Sequence, residues 1–261
     1  MTTTPDYVPG HGLLTDKVVV VTAAAGAGIG ASVVRRALEE GARAVVLSDT
    51  HARRLAEAEQ ALGDEFGADR VRALTCDVTD EAQVQALLDA ADEFGGIDVM
   101  MNNAGLGGTA SIQDMTDEEW SRVLDITLTG TMRCTRGVAN RMIAAGRQGV
   151  IVNNASVIGW RAQEGQAHYA AAKAGVMALT RCSAMDLAPH GIRVNAVSPS
   201  LAMHPFLEKV TSPELLAELK DREAFKRAAE PWEVANVMVF LASGYSSYLT
   251  GEVISVSSQH A

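Results

Sequence analysis

Short apolar runs alternate with longer stretches of helical periodicity along almost the whole chain. The runs predict seven β-strands, and the amphipathic stretches between them predict helices. This alternation is typical of a parallel sheet covered on both faces, so we expect an α/β, doubly wound fold. The predicted strands cover residues 18–21, 44–47, 71–74, 97–101, 150–152, 192–197 and 253–256, and the predicted helices lie near 29–40, 52–62, 80–93, 117–143, 167–188 and 231–242.

No repeat or low-complexity linker divides the chain, and 261 residues can form one large domain or two small ones. We expect a single domain over residues 1–261 with an N-terminal arm over 1–13. One long stretch, 199–231, breaks the alternation of strand and helix. We predict that it forms a lid beside the functional site.

Composition and charge exclude several function classes. The chain carries 22 Lys and Arg against 32 Asp and Glu, a net charge of -10, which repels nucleic acid and anionic lipid. The three cysteines form no CxxC pair and the six histidines form no HxH or HxxxH pattern, so neither a disulfide framework nor a metal site is expected. The start of the chain does not resemble a signal peptide, and glycines dilute the uncharged run 18–34, so we expect no membrane span and a cytoplasmic location.

A glycine-rich turn follows the first predicted strand and opens a helix. Gly26, Gly28, Ile29 and Gly30 stand where a dinucleotide fold needs them, because glycines let the backbone approach a pyrophosphate at a helix N-terminus. The alternative is that the glycines only permit a tight turn and close helix packing.

Asp49 ends the second predicted strand, 19 residues after Gly30. An acidic residue at this offset binds a ribose 2′-hydroxyl in dinucleotide folds and repels a 2′-phosphate. We therefore expect NAD(H) rather than NADP(H), although Arg53 and Arg54 lie close enough in sequence to weaken the argument. Alternatively, Asp49 only caps the next helix.

Two further turns end strands at the same predicted edge of the sheet. Taken alone, each is compatible with an ordinary turn, but beside the glycine turn they are expected to face the adenosine half of the cofactor. They contribute Asp77 and Val78 after the third strand, and Asn103, Ala104 and Gly105 after the fourth.

Candidate chemistry follows the fifth strand, where Ser156 precedes Tyr169 and Lys173. The last two residues share one helix face at i, i+4 spacing. An ammonium about 4 Å from the phenol, at an effective dielectric near 20, is worth roughly 4 kcal/mol, which predicts a phenol pKa lowered from about 10 to about 7. Such a phenol exchanges protons with an alcohol while Ser156 holds the substrate oxygen. The alternative is an exposed Tyr and Lys on an amphipathic helix.

These segments together resemble the short-chain dehydrogenase/reductase family over about residues 14–258. The resemblance implies a seven-stranded Rossmann sheet, a nicotinamide cofactor, and usually a homotetramer built through the helices at 117–143 and 167–188. It also implies that Ser156, Tyr169 and Lys173 are catalytic, that Lys173 binds the nicotinamide ribose, and that Pro199 borders the cofactor. The matching segments are AGAGIG, Asp49, CDV, NNAG, NNAS, YAAAK, RVNAVSP, EPWEVA and TGEVISV.

The chain departs from the family pattern in four places. Ala23 and Ala24 stand in the stretch where the family usually has a Thr-Gly opening. Thr127 replaces the asparagine that completes a proton relay through water; we expect its hydroxyl to hold that water without the donors of an amide. The segments Pro199-Ser200 and Ser257-Ser258-Gln259 replace Pro-Gly and Asp-Gly-Gly near the substrate pocket.

The predicted substrate-contacting residues are Leu106, Trp160, Arg161, His204 and Phe206. An apolar wall with one cation suits a bulky cyclic or acyl ketone with an anionic tail such as a CoA thioester. Alternatively, Arg161 is a solvated surface group and Trp160 belongs to the core.

The segments NNASVIGWRAQ, AEPWEVA and the SSQ ending resemble the actinobacterial subgroup that degrades steroid rings C and D, in which a hydroxy-hydrindanone CoA thioester is oxidised. A 3-oxoacyl-thioester reductase that uses NADPH is the first alternative, which Asp49 disfavours. The second is a non-catalytic NAD(H)-binding module, suggested by Thr127 and the altered segments.

Overall fold

The fold is built around one parallel sheet with the strand order β3-β2-β1-β4-β5-β6-β7. A computed structural model describes residues 3–203, 207 and 212–258, and within them it confirms the expected doubly wound α/β fold. The strands are β1 Val18–Val21, β2 Ala44–Asp49, β3 Val71–Thr75, β4 Val99–Asn102, β5 Gly149–Asn154, β6 Ile192–Pro199 and β7 Val253–Val256.

Helices cover both faces of the sheet because alternate residues of each strand point in opposite directions. The helices are α1 Ile29–Glu39, α2 Ala52–Phe66, α3 Glu81–Asp92, α4 Asp117–Leu124, α5 Gly130–Ala144, α6 Ala167–Leu187, α7 Pro213–Arg222 and α8 Pro231–Ala242. On β1, Val19 and Val21 belong to the core beneath α1 and α8, whereas Val18 and Val20 belong to the core beneath α3 and α5.

The single helix predicted over 117–143 is divided in the structure. Thr116 and Glu119 form a reciprocal capping box that starts α4, as their spacing indicates. A π-helical turn over Asp125–Thr129 then separates α4 from α5. The prediction of one continuous helix is therefore wrong, because hydrophobic periodicity does not reveal a single π-helical turn within a helix. Such turns are frequent at functional sites.

The N-terminal arm is bound along α1. Glu40 is fully buried and pairs with Arg36 at 2.6 Å, and its other oxygen accepts the backbone amides of His11 and Leu13. Tyr7 donates to Glu39 and its ring packs edge-on against Trp232, with centroids 5.2 Å apart. The arm therefore supplies the partners that a buried ion pair requires.

The stretch predicted as a lid is partly described. A bridge between Ala202 and Ala229 joins its two ends, and α7 lies between them. His204 and Phe206 lie outside the described residues, and the lid and single-domain assignments remain predictions. None of the helices in the described ranges is both long and apolar enough to cross a bilayer.

Candidate active site

The candidate site lies at the carboxyl edge of the sheet, between β1 and β4. These strands are neighbours in the sheet, but the chain leaves β1 towards β2 on one side and leaves β4 towards β5 on the other side. In open parallel sheets, ligands bind outside the strand ends at this point. The glycine turn after β1, the turn after β4 and the end of β5 therefore meet there.

The glycine turn is held tightly against its neighbours. Ala23 has φ +52 and Gly26 has φ +137, so Ala23 adopts the left-handed conformation that glycine prefers, in the stretch where the family usually has Thr-Gly. A Cβ added at Gly30 would lie 2.5 Å from Asn103 Nδ2 and closer still to the carbonyl oxygen of Ala23. Gly30 is thus required by close packing of α1 on the turn, which was the alternative reading of the motif.

The turn also fits a dinucleotide. No side chain caps the N-terminus of α1 at Gly28, and a Cβ at Gly26 or Gly28 would meet nothing within 4 Å. The turn therefore has open space on the Cβ side of these two glycines, and a helix N-terminus without a side-chain cap favours phosphate. Packing explains Gly30 and the positive φ explains Gly26, and a pyrophosphate against Gly26 and Gly28 remains a prediction.

Asp49 stands at the end of β2 against this turn. Its carboxylate accepts the amide of Ala25 at 3.2 Å and the amide of His51 at 3.0 Å. It does not act as a side-chain cap of α2. Each oxygen retains a lone pair for a ribose hydroxyl.

The turns after β3 and β4 differ in their contacts. The carboxylate of Asp77 accepts the amide and the hydroxyl of Thr79, and Val78 is buried against Gly130. The amides of Asn103 and Ala104 both donate to Thr22 Oγ1 at 3.0 Å. The β4 turn is therefore fastened to the glycine turn, whereas the side-chain contacts of Asp77 lie within its own turn.

Ser156, Tyr169 and Lys173 come together at the end of β5. Tyr169 and Ser156 share a hydrogen bond. The Lys173 ammonium lies 5.6 Å from the Tyr169 ring centroid and donates to the backbone oxygen of Asn154 at 2.5 Å. Gly105 adjoins this group, because a Cβ there would lie 3.3 Å from Lys173 Nζ. The structure thus brings together the three residues that the sequence singled out, and their catalytic role remains a prediction.

The expected lowering of the phenol pKa is wrong for this chain. Burial raises the pKa of Tyr169 to about 12, while the hydrogen bond with Ser156 acts in the opposite direction. Burial also lowers the pKa of Lys173 to about 8. The i, i+4 argument considered only an ammonium beside the phenol at an effective dielectric near 20. In the structure, the cost of burying the charged phenolate is the larger effect on the pKa of Tyr169.

Thr127 lies fully buried in the π-helical turn. Its hydroxyl accepts the amide of Leu106 at 2.9 Å and donates to the carbonyl of the same residue at 3.2 Å. The only proton of the hydroxyl is thus used, and one lone pair is left. Thr127 fixes the backbone of the loop that follows Gly105, and its expected role in holding a relay water remains a prediction.

The predicted substrate residues are distributed around this loop. Leu106 lines a cavity of about 120 Å³ together with Gly107 and the buried His168. Trp160 is 51% exposed and Arg161 is partly buried, so Trp160 is not a core residue. Pro199 is buried at the end of β6.

One residue of the site was missed by the sequence reasoning. Asn154 ends β5, where its backbone oxygen accepts Lys173 and its side chain donates to Asn103 Oδ1 at 2.9 Å. The available signal was a second consecutive asparagine at the end of an apolar strand, next to the NNAG turn on the neighbouring strand.

Comparison with known proteins gives consistent matches. A family model described as enoyl-(acyl carrier protein) reductase matches residues 23–258. A (5R,7aS)-5-hydroxy-7a-methyl-1-oxo-2,3,5,6,7,7a-hexahydro-1H-indene-carboxyl-CoA reductase of Mycobacterium tuberculosis is 61% identical over 257 residues, which cover 98% of this chain and 97% of the relative.

Two further matches extend the comparison. A cis-4-hydroxycyclohexanecarboxylate dehydrogenase of Sinomonas cyclohexanicum is 41% identical, covering 92% of this chain and 95% of the relative. The crystal structure of a short chain dehydrogenase from Mycobacterium smegmatis superimposes with a TM-score of 0.88 at 56% identity and covers 99% of both chains. The matches therefore extend over nearly the whole chain in both sequence and structure.

Proposed function

The chain belongs to the short-chain dehydrogenase/reductase family and is an oxidoreductase that binds a nicotinamide cofactor, and from this premise we propose that it interconverts a ring alcohol and a ketone with Tyr169 as acid and base. The observation that carries the proposal is the hydrogen bond between Tyr169 and Ser156 beside Lys173, at the edge of the sheet where the glycine turn presents its amides. A nicotinamide dinucleotide, when bound, supplies or accepts the hydride.

The residues of the chain move the proton and hold the substrate oxygen. Ser156 and the Tyr169 phenol both hydrogen-bond that oxygen. Since burial raises the Tyr169 pKa to about 12, the phenol is protonated near neutral pH and acts as the acid for ketone reduction. Below a pKa of about 8 Lys173 carries a charge that stabilises the phenolate left behind and binds the nicotinamide ribose.

The cofactor is NAD(H) rather than NADP(H) in this proposal. Two backbone amides fix the Asp49 carboxylate at the glycine turn, where it accepts ribose hydroxyls and repels a 2′-phosphate. Gly26, Gly28, Ile29 and Gly30 form the pyrophosphate turn, Asp77 and Val78 border the adenine, and Asn103, Ala104, Gly105 and Pro199 border the ribose and nicotinamide.

Replacement of Asp49 by serine tests the cofactor assignment. We expect the wild-type protein to show a higher kcat/KM with NAD than with NADP, and Asp49→Ser to reduce that ratio by about tenfold or more, because one repulsive charge is removed. Asp64→Ser, which removes an exposed carboxylate from α2, is the control and should leave the ratio unchanged. A wild-type preference for NADP would contradict the assignment.

The substrate class is a ring alcohol or ketone that carries a carboxyl group, as a CoA thioester. The names of the two relatives above share a ring hydroxyl and a carboxyl function, and the 61% identical relative carries it as carboxyl-CoA. We propose that Leu106 and Trp160 line the ring pocket and that Arg161 meets the anionic tail. His204 and Phe206 are proposed contacts from the sequence alone.

A turnover screen tests the proposed function. Nicotinamide fluorescence is followed with NAD(H) and NADP(H) against hydroxy-hydrindane CoA thioesters, their ketones, and linear 3-hydroxyacyl-CoA and 3-oxoacyl-CoA. We expect the ring substrates with NAD(H) to give the highest kcat/KM. Faster turnover of linear substrates with NADPH would support a 3-oxoacyl-thioester reductase instead.

The working form of the protein is also part of the proposal. We propose a cytoplasmic homotetramer that associates through α4, α5 and α6, as the family resemblance implies. Two of its cysteines, Cys76 and Cys134, are buried and unpaired, which suits a reducing compartment.

A further inference from the structure

A chain of hydrogen bonds runs through Asn154 from Lys173 to the glycine turn. Lys173 Nζ donates to the Asn154 backbone oxygen at 2.5 Å, and Asn154 Nδ2 donates to Asn103 Oδ1 at 2.9 Å. Asn103 Nδ2 in turn donates to the carbonyl oxygens of Thr22 at 3.2 Å and Ala23 at 3.0 Å. Asn154 thus contacts the proton-transfer side with its backbone and the cofactor side with its side chain.

The orientation of both amides follows from these contacts. Thr22 and Ala23 offer only their carbonyl oxygens to the side chain of Asn103, so Asn103 must direct its NH₂ group to them and its oxygen to Asn154. Asn154 must therefore direct its own NH₂ group to Asn103. An acceptor at position 154 would face a second acceptor that has no freedom to turn.

Asn154 is an unfavourable residue for stability at this position. Its Oδ1 is buried and has no hydrogen-bond partner within the described part of the chain, and a buried polar atom without a partner lowers stability. Asparagine is also disfavoured in strands, and residues Val150–Val152 before it form an apolar run. A stabilising role in the fold therefore does not explain the residue.

We propose that Asn154 is a positioning residue of the proposed active site. It holds the strand end that anchors Lys173 at a fixed distance from the turn that receives the dinucleotide. The inference rests on the proposed function, because the distance matters only if proton transfer and hydride transfer take place at one substrate carbon.

Two variants of Asn154 test the inference. Asn154→Leu has a similar volume and makes no hydrogen bonds, whereas Asn154→Asp keeps the shape and replaces the donor by an acceptor. Tm, the Kd for NADH from nicotinamide fluorescence, kcat and substrate KM are measured for each. Because a misplacement of about 1 Å can cost about 100-fold in rate, we expect kcat to fall by about tenfold or more.

The pattern of effects distinguishes positioning from stability. We expect Asn154→Leu to keep or raise the wild-type Tm while kcat falls, the Kd for NADH rises several-fold and substrate KM changes little. We expect kcat to fall further in Asn154→Asp than in Asn154→Leu, since the new carboxylate oxygen and Asn103 Oδ1 repel each other.

Asn195 on β6 offers a matched control. It is also a strand asparagine, is fully buried, and has an amide paired on both sides, with the Leu249 carbonyl at 2.8 Å and the Glu252 amide at 3.1 Å. Asn195→Leu should lower Tm, because two backbone partners lose their bonds, and leave kcat and the Kd for NADH at their wild-type values in the folded protein.

Two results would overturn the inference. One is that both Asn154 variants keep the wild-type kcat and the wild-type Kd for NADH. The other is a fall of kcat only in proportion to a fall of Tm. If the wild-type protein binds NADH but converts no alcohol or ketone, the proposed function fails, and the ratio of the Kd values for wild-type and Asn154→Leu still decides whether Asn154 positions the turn.

Discussion

Tyr169→Phe is expected to lower kcat/KM by about a thousandfold in both directions, the middle of the range for loss of one general acid-base. The substitution removes only the hydroxyl that hydrogen-bonds Ser156, so the protein should fold and bind NADH as before. Initial rates with a ring alcohol and with its ketone give kcat/KM, and nicotinamide fluorescence gives the Kd for NADH. A non-catalytic NAD(H)-binding module would show no turnover before or after the substitution, and its Kd for NADH would stay the same.

The pH dependence sharpens this test. Oxidation of the alcohol needs the phenolate, and with a Tyr169 pKa of about 12 its fraction rises about tenfold per pH unit below that value. The wild-type oxidation rate should therefore climb from neutral pH to about pH 8, where Lys173 begins to lose its charge, and the residual rate of Tyr169→Phe should not. Tyr248→Phe, at a fully exposed tyrosine, should behave as wild type. Equal pH profiles for wild type and Tyr169→Phe would exclude Tyr169 as the base.

Gly30→Ala is expected to weaken NADH binding on the order of 100-fold, the scale of an ångström displacement, and to lower the free energy of unfolding by about 1–3 kcal/mol. The added methyl would overlap with Ala23 and lie 2.5 Å from Asn103 Nδ2. These atoms belong to backbone or to an amide held by two hydrogen bonds, so α1 must move away from the turn. Titration of NADH fluorescence and urea denaturation measure the two effects.

Gly28→Ala is the control for this substitution. A methyl there meets no protein atom within 4 Å, so the free energy of unfolding should stay within about 0.5 kcal/mol of the wild-type value. If a pyrophosphate approaches this backbone, NADH binding still weakens. A normal Kd in Gly28→Ala would show that the dinucleotide does not lie against the turn.

The fold was largely predictable because its signals are local. The run Val18–Val21 is buried on both faces, which makes it continuously apolar, and Thr116 with Glu119 marks the start of α4 through contacts three residues apart. The π-helical turn over Asp125–Thr129 was missed because it leaves the apolar spacing on either side almost unchanged. Its position depends on packing against Gly105 and Leu106, which are remote in sequence.

The site was predictable where spacing alone fixes geometry. The position of Asp49 follows from its spacing after the glycine turn, and the proximity of Tyr169 and Lys173 follows from their i, i+4 spacing on one helix. The direction of the Tyr169 pKa shift was wrong because burial, which spacing does not report, outweighs the neighbouring charge. Asn154 was missed because its partner Asn103 lies on another strand, and only the sheet brings the two amides together.

The arm that lies along α1 has a consequence for how the molecule assembles. Tyr7 lies in the arm before β1, yet its ring contact, Trp232, belongs to α8, far away in sequence. The arm completes this contact only once α8 has packed against the sheet. If the arm docks after the rate-limiting barrier of folding, its contacts slow unfolding without speeding folding.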